Sequence, residues 1–151
     1  MKQVLILGIG NILQSDDGLG VHLIQDILES HPDLPENVEV VDGGTAGFDL
    51  IPLMSGKDKI VIVDALKTDD KPGSIYRFTP DNAVVTRSGF SLHEVGMMEI
   101  IKTLQLMGEN PEIEIVGIVP EDINTLEISL SPAVRNAFPR AIEVILESAL
   151  N

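Results

Sequence analysis

Four aspartates and one histidine carry the residue types that could do chemistry in this chain: Asp16, Asp17, Asp42, Asp64 and His93. Each acid follows an apolar run. Asp16 and Asp17 come after Val4 to Leu7, Asp42 follows Val38 to Val41, and Asp64 follows Lys59 to Val63. If those runs are neighbouring parallel strands, their carboxylates converge on one rim, where open α/β sheets collect ligands. Two carboxylates with the imidazole of His93 would form a mixed oxygen and nitrogen set that suits nickel, iron, manganese or zinc.

Each of these residues also has a plainer reading. Asp16 and Asp17 suit the start of a helix, where they would cap it and complement its dipole. Asp42 before Gly43-Gly44 fits an ordinary turn. Asp64 is harder to dismiss, because a charge closing the apolar run Ile60 to Val63 needs a partner or a purpose. Among the histidines, His31 sits where a helix should end and reads as structural. His22 lies five residues past Asp17, which points the two to different helix faces. Glycines at 8, 10, 18, 20, 43, 44 and 47 are expected to keep the rim open to the backbone of a partner.

The elements that must position these groups alternate between strand-like and helix-like patterns, the signature of a layered α/β fold. A helix is expected from about Ser15 to His31, with Leu23, Ile24, Ile27 and Leu28 on its apolar face and Pro32 as its stop. A short helix should cover Phe48 to Met54. Ser74 to Thr79 alternates weakly and suits an edge strand. Asn82 to Gly89 reads as loop, and a helix is expected from about Ser91 to Met107. Glu114 to Val119 is a further strand, and Ser131-Pro132 opens a C-terminal helix as N-cap and first helical residue. The expected architecture is three-layer: a twisted, mostly parallel sheet of about five strands with helices on both faces, in one domain spanning residues 1–151. Its core draws on Ile, Leu and Val, with Phe48, Phe78, Phe90 and Phe138 as the few large pieces.

Composition narrows the function classes. The net charge is −14, and residues 3–56 contain no Lys or Arg, nor do residues 103–134. Such a field repels phosphate backbones, so nucleic acid is not an expected partner; a cation, a metal-bearing partner or a basic peptide suits it better. With no cysteine, a disulfide framework, a thiolate zinc site and a Cys nucleophile are excluded. The first apolar run is too short to span a membrane, so a cytoplasmic protein without membrane attachment is expected. Gly8-Ile9-Gly10 begins like a dinucleotide fingerprint, but Leu13 stands where the third glycine belongs. No phosphate loop, Gly-x-Ser-x-Gly or His-Glu-x-x-His occurs.

Taken together in order, the motifs resemble those of a known family. Gly8-Ile9-Gly10-Asn11-Ile12-Leu13 followed by Asp16-Asp17-Gly18-Leu19-Gly20 resembles the opening signature of the hydrogenase maturation endopeptidases. Asp42-Gly43-Gly44-Thr45-Ala46-Gly47, Val63-Asp64-Ala65, Ser91-Leu92-His93-Glu94-Val95-Gly96 and Gly117-Ile118-Val119-Pro120-Glu121 match its later blocks. The resemblance implies removal of a C-terminal extension from the nickel-loaded precursor of a nickel–iron hydrogenase large subunit. It implies Asp17, Asp64 and His93 as metal-reading and catalytic residues, with Asp42 orienting substrate or the Gly-rich loop. The nickel would come with the substrate rather than as a resident cofactor, and a monomer is expected. Two other classes stay open on the residues alone: a nucleotide binder using Gly8 and Gly10, and a metal-dependent recognition module that does not cut.

Overall fold

The computed structural model describes residues 1–81, 91–92 and 95–151. Its strands are β1 (Val4–Ile9), β2 (Val38–Gly44), β3 (Lys59–Lys67), β4 (Ile75–Phe78), β5 (Ser91–Leu92) and β6 (Glu112–Ile118). Five of them make the main path of the sheet, in the order β2–β1–β3–β6–β4, and β5 pairs with β3. β1 runs parallel to β2 and β3, and β3 parallel to β6; β4 is antiparallel and stands at the edge, where its alternation placed it. Asn82 to Gly89 and His93 lie outside the described residues.

Continuous apolar runs make the inner strands because both faces of the sheet are covered. Val4, Ile6, Val61, Val63 and Ala65 pack on one side against α1 (Leu19–Ser30) and the last helix, through Leu23, Ile24, Ile27, Val134, Phe138 and Ile145. Leu5, Leu7, Ile60 and Ile62 pack on the other against α2 (Ile51–Met54) and α3 (Val95–Leu106), through Met54, Met97, Ile100 and Leu104. Truncating one such residue, for example Ile62→Ala, costs about 2–5 kcal/mol. The last helix, α4 (Pro132–Leu150), starts as expected with Ser131 as its N-cap, accepting from the Val134 N–H, and Pro132 in the first turn.

Several sequence expectations need correction. The first helix is split: Ser15–Gly18 is a 3-10 turn and the α-helix begins at Leu19. Leu28 is exposed rather than on the apolar face, and Phe48 is exposed rather than in the core. β3 does not end at Asp64 but continues to Lys67, because Asp64 and Ala65 stay in register with Gly117 and Ile118 of β6. Ser91 and Leu92 do not begin a helix. They pair with Lys67 and Leu66, and this long-range pairing outweighs local helical pattern.

Candidate functional site

β2, β1 and β3 are adjacent and parallel, so their carboxyl ends form one rim. Gly8 is the common reference: it pairs with Asp42 on one side and with Val63 on the other. Asp64 is the next residue along β3. It is 1% exposed, its Oδ1 accepts the Ala65 N–H at 2.7 Å, and it shares the sheet face of Ile60 and Ile62, the face that α3 covers.

Asp17 reaches this rim on the Ser15–Gly18 turn, which contacts β3. It is buried, and its Oδ2 accepts the Asn11 N–H at 3.3 Å. The turn can lie this close because the glycines around it leave no side chains in the way. A Cβ on Gly20 would stand 2.4 Å from the Val63 carbonyl oxygen and 2.5 Å from that of Ile9. A Cβ on Gly10, whose φ is +142°, would stand 2.2 Å from the Asp17 carbonyl oxygen. This revises the expectation of an open rim. Most of those glycines are filled by the chain's own backbone, and only around Gly47 is there free space within 4 Å.

Asp16 belongs to the scaffold. Fully buried, its carboxylate accepts four donors: the N–H groups of Glu121, Asp122 and Ser131, and the Ser131 hydroxyl. The sequence suggested a helix cap; the actual partners lie more than a hundred residues away. Ser15 beside it adopts a positive φ of 52°, a conformation that nothing in its residue type announces.

Asp42 is exposed, and its Oδ1 accepts the Gly44 N–H at 2.9 Å; it sits within β2, which continues to Gly44, rather than in the turn expected of it. It lines a cavity of about 310 Å³ with Gly10, Asn11, Leu13, Val21 and Thr45. Gly44 and Thr45 also border a second cavity, about 160 Å³, walled by Ile9, Phe48, Leu50, Met97 and Ile100. Sequence reasoning missed that apolar neighbour; the signal available was Phe48 directly after the Gly-rich block. The site thus has a mostly apolar cavity, with Asn11, Asp42 and Thr45 as its polar side chains, next to the Asn11 backbone that Asp17 holds, and a second apolar hollow beside it.

Of the expected metal-reading set, Asp17 and Asp64 come to the same end of the sheet, while His93 lies outside the described residues. Among the described residues no group of three His, Cys, Asp or Glu stands close enough to hold a metal. Leu92, the described residue preceding His93 in sequence, pairs with Leu66, two residues after Asp64. Elsewhere, His31 bonds through Nδ1 to the Ser30 hydroxyl at the far end of α1, and Nε2 of His22 is buried with no hydrogen-bond partner among the described residues.

The family profile described as HycI, hydrogenase maturation protease, matches residues 21–148. The chain belongs to the hydrogenase maturation protease family. It is 35% identical over 148 residues to the hydrogenase 2 maturation protease of Escherichia coli K12, covering 95% of this chain and 88% of that protein. It is equally 35% identical over 144 residues to the hydrogenase expression/formation protein HupD of Rhodobacter capsulatus, covering 93% and 68%. Among solved structures, the hydrogenase maturating endopeptidase HybD of E. coli superposes with a TM-score of 0.86 at 31% identity, over 96% of this chain and 90% of the other. The [NiFe] hydrogenase maturation protease HybD of Thermococcus kodakarensis follows with a TM-score of 0.83 at 30% identity, over 97% and 99%. The protein is therefore a peptidase of this family, with its mostly parallel α/β sheet. In the protease, no helix among the described residues is long and apolar enough to cross a membrane.

Proposed function

We propose that the protease removes the C-terminal extension of a nickel–iron hydrogenase large-subunit precursor after nickel has been inserted, with Asp17, Asp64 and His93 reading the nickel. The observation that carries this reading is the pair of buried carboxylates, Asp17 and Asp64, delivered by separate elements to one rim. Two buried carboxylates brought to one rim by separate elements supply oxygen ligands of the kind a divalent metal takes beside an imidazole.

The nickel arrives as part of the substrate. Held by the two carboxylates and the imidazole, it tethers the precursor and fixes the scissile bond at the rim, replacing a loose encounter with a positioned one. Water then adds to the scissile carbonyl carbon, the C–N bond breaks, and the released amine takes up a proton. Either the metal or a carboxylate activates that water. Asp42, which lines the cavity beside Gly44 and Thr45, orients the precursor strand or the Gly-rich loop. The protease acts as a cytoplasmic monomer. A precursor without nickel lacks the tether, so early trimming is disfavoured.

The experiment is incubation of the protease with nickel-loaded and nickel-free precursor, followed by mass spectrometry of the precursor's C-terminus. Shortening of the loaded form alone is expected. Equal shortening of both forms would remove nickel from the reading, and tight complex formation without shortening would make the chain a recognition module.

A further inference from the structure

Next to the cavity that Asp42 lines, the segment between β6 and α4 turns two large apolar side chains outward, and the loop after β1 adds a third. Leu126 is 78% exposed and Ile128 60%, and Leu13, from the loop that lines the Asp42 cavity, is 58% exposed. With Glu127 and Ser129 they line a shallow depression of about 670 Å³. Leu13 belongs to both hollows, so the apolar depression continues into the candidate site.

This loop is not loose. Its backbone is tied to the turn that carries Asp17: Ser15 N–H donates to the Glu127 carbonyl at 2.7 Å, Asp16 N–H to that of Asp122 at 2.9 Å, and the Ser15 hydroxyl to that of Thr125 at 2.8 Å. The Asp16 carboxylate holds both ends of the segment, at Glu121-Asp122 and at Ser131. Within it, Asp122 accepts from Asn124 and Thr125, and those bonds, the Thr125 hydroxyl first, hold its carboxyl below the usual range. A surface ordered in advance, with apolar side chains facing water, is a docking surface whose ordering cost has already been met.

We propose that Leu13, Leu126 and Ile128 form the platform on which the folded body of the precursor docks, through a patch where apolar side chains are ringed by Lys and Arg. The proposal rests on the proteolytic reading for the identity of the partner. Charge decides the chemistry of the occupant. The platform is built wholly from residues 3–56 and 103–134, which contain no Lys or Arg, and exposed Glu127 lies within it. A second copy of this chain would bring the same acid against it, whereas a basic rim complements it. Docking here, adjoining the cavity beside Asp17, would lead the precursor's tail directly to the rim.

The test measures binding of nickel-loaded precursor to the Asp17→Asn protease, so that no turnover is needed, with and without the double substitution Leu126→Asp/Ile128→Asp. Leu13→Asp, on a different loop, is the independent second variant. Each is expected to weaken the complex by about tenfold or more, with unchanged circular dichroism, as loss of a central apolar anchor does. Binding to the parent should weaken with added salt. In the otherwise wild-type protease the same changes should raise KM and leave kcat in place. Unchanged affinity in both variants overturns the proposal, as does an unchanged KM for both in the otherwise wild-type protease. Sedimentation showing a dimer that the substitutions dissociate would also overturn it, assigning the face to a second copy. Binding that depends on these residues, from a wild-type protease that never shortens the precursor, would sink the proteolytic reading and leave the platform standing.

Discussion

Asp16 and Ser131, 115 residues apart in sequence, are joined by two hydrogen bonds: the Ser131 N–H reaches Oδ1 at 2.8 Å and its hydroxyl reaches Oδ2 at 2.7 Å. One side chain thereby fixes the entry to α4, the 121–131 loop and the turn bearing Asp17. Asp16→Ala would strand three buried or part-buried backbone donors at once. A loss of about 3–5 kcal/mol in urea unfolding is expected, of the size seen when a buried charged network is broken. Ser131→Ala removes one of these bonds and a cap, and should cost only about 1–2 kcal/mol.

Gly20 yields a prediction whose sign is opposite to the usual one. In an exposed helix interior, Gly→Ala stabilises by about 1 kcal/mol. Here the new methyl would meet two backbone carbonyl oxygens at 2.4 and 2.5 Å, and backbone cannot step aside as a side-chain tip can. Gly20→Ala is therefore expected to lower stability by about 2–3 kcal/mol, as overpacking does. It should also lower proteolytic activity, since the helix start and the Asp17 turn would lift from β3. Calorimetry and a cleavage assay on the same sample check both.

Glu114 predicts the acid behaviour of the fold. Arg77 donates two hydrogen bonds to its carboxylate, and with help from Ser148 and Lys59 this outweighs partial burial and lowers its pKa from 4.5 to about 2. The folded protein binds this proton more weakly than the unfolded chain does. The stabilisation is therefore complete above 4.5 and drains away as pH falls toward 2. Between about pH 5 and pH 2 the wild type should lose about 3 kcal/mol more than Glu114→Gln does. Parallel acid-unfolding curves would contradict this.

Asp42 separates two roles by one substitution. Its Oδ1 accepts the Gly44 N–H, a bond that an amide oxygen can make equally well. If the residue acts by shaping the Gly-rich loop, Asp42→Asn retains most activity and Asp42→Ala loses about tenfold, chiefly in KM. That is the expected outcome. A carboxylate in contact with the reacting groups would make both variants equally poor.

The strand and helix alternation was legible because continuous apolar runs and amphipathic periods report burial directly. The convergence of Asp17 and Asp64 was legible from their position after such runs. The continuation of β3 beyond Asp64 was not, since a buried charge usually marks a strand's end. Gly117 across the ladder, where a Cβ would sit 2.8 Å from that of Leu66, makes room for it. Nor could the sequence separate Asp16 from Asp17. Adjacent and identical, one is spent on the 121–131 loop and the other faces the rim, a difference set by partners far along the chain. Glycine positions showed where space was needed but not that the chain itself would occupy it.

The central claim is that the side chains at 17 and 64 act as one site on the precursor. Its most direct test is the single-turnover rate of C-terminal shortening of nickel-loaded precursor by purified Asp17→Asn and Asp64→Asn, with His93→Ala alongside. Each substitution is expected to slow shortening by about a thousandfold, with melting temperature and circular dichroism close to those of the parent. Wild-type rates from either folded aspartate variant would contradict the account.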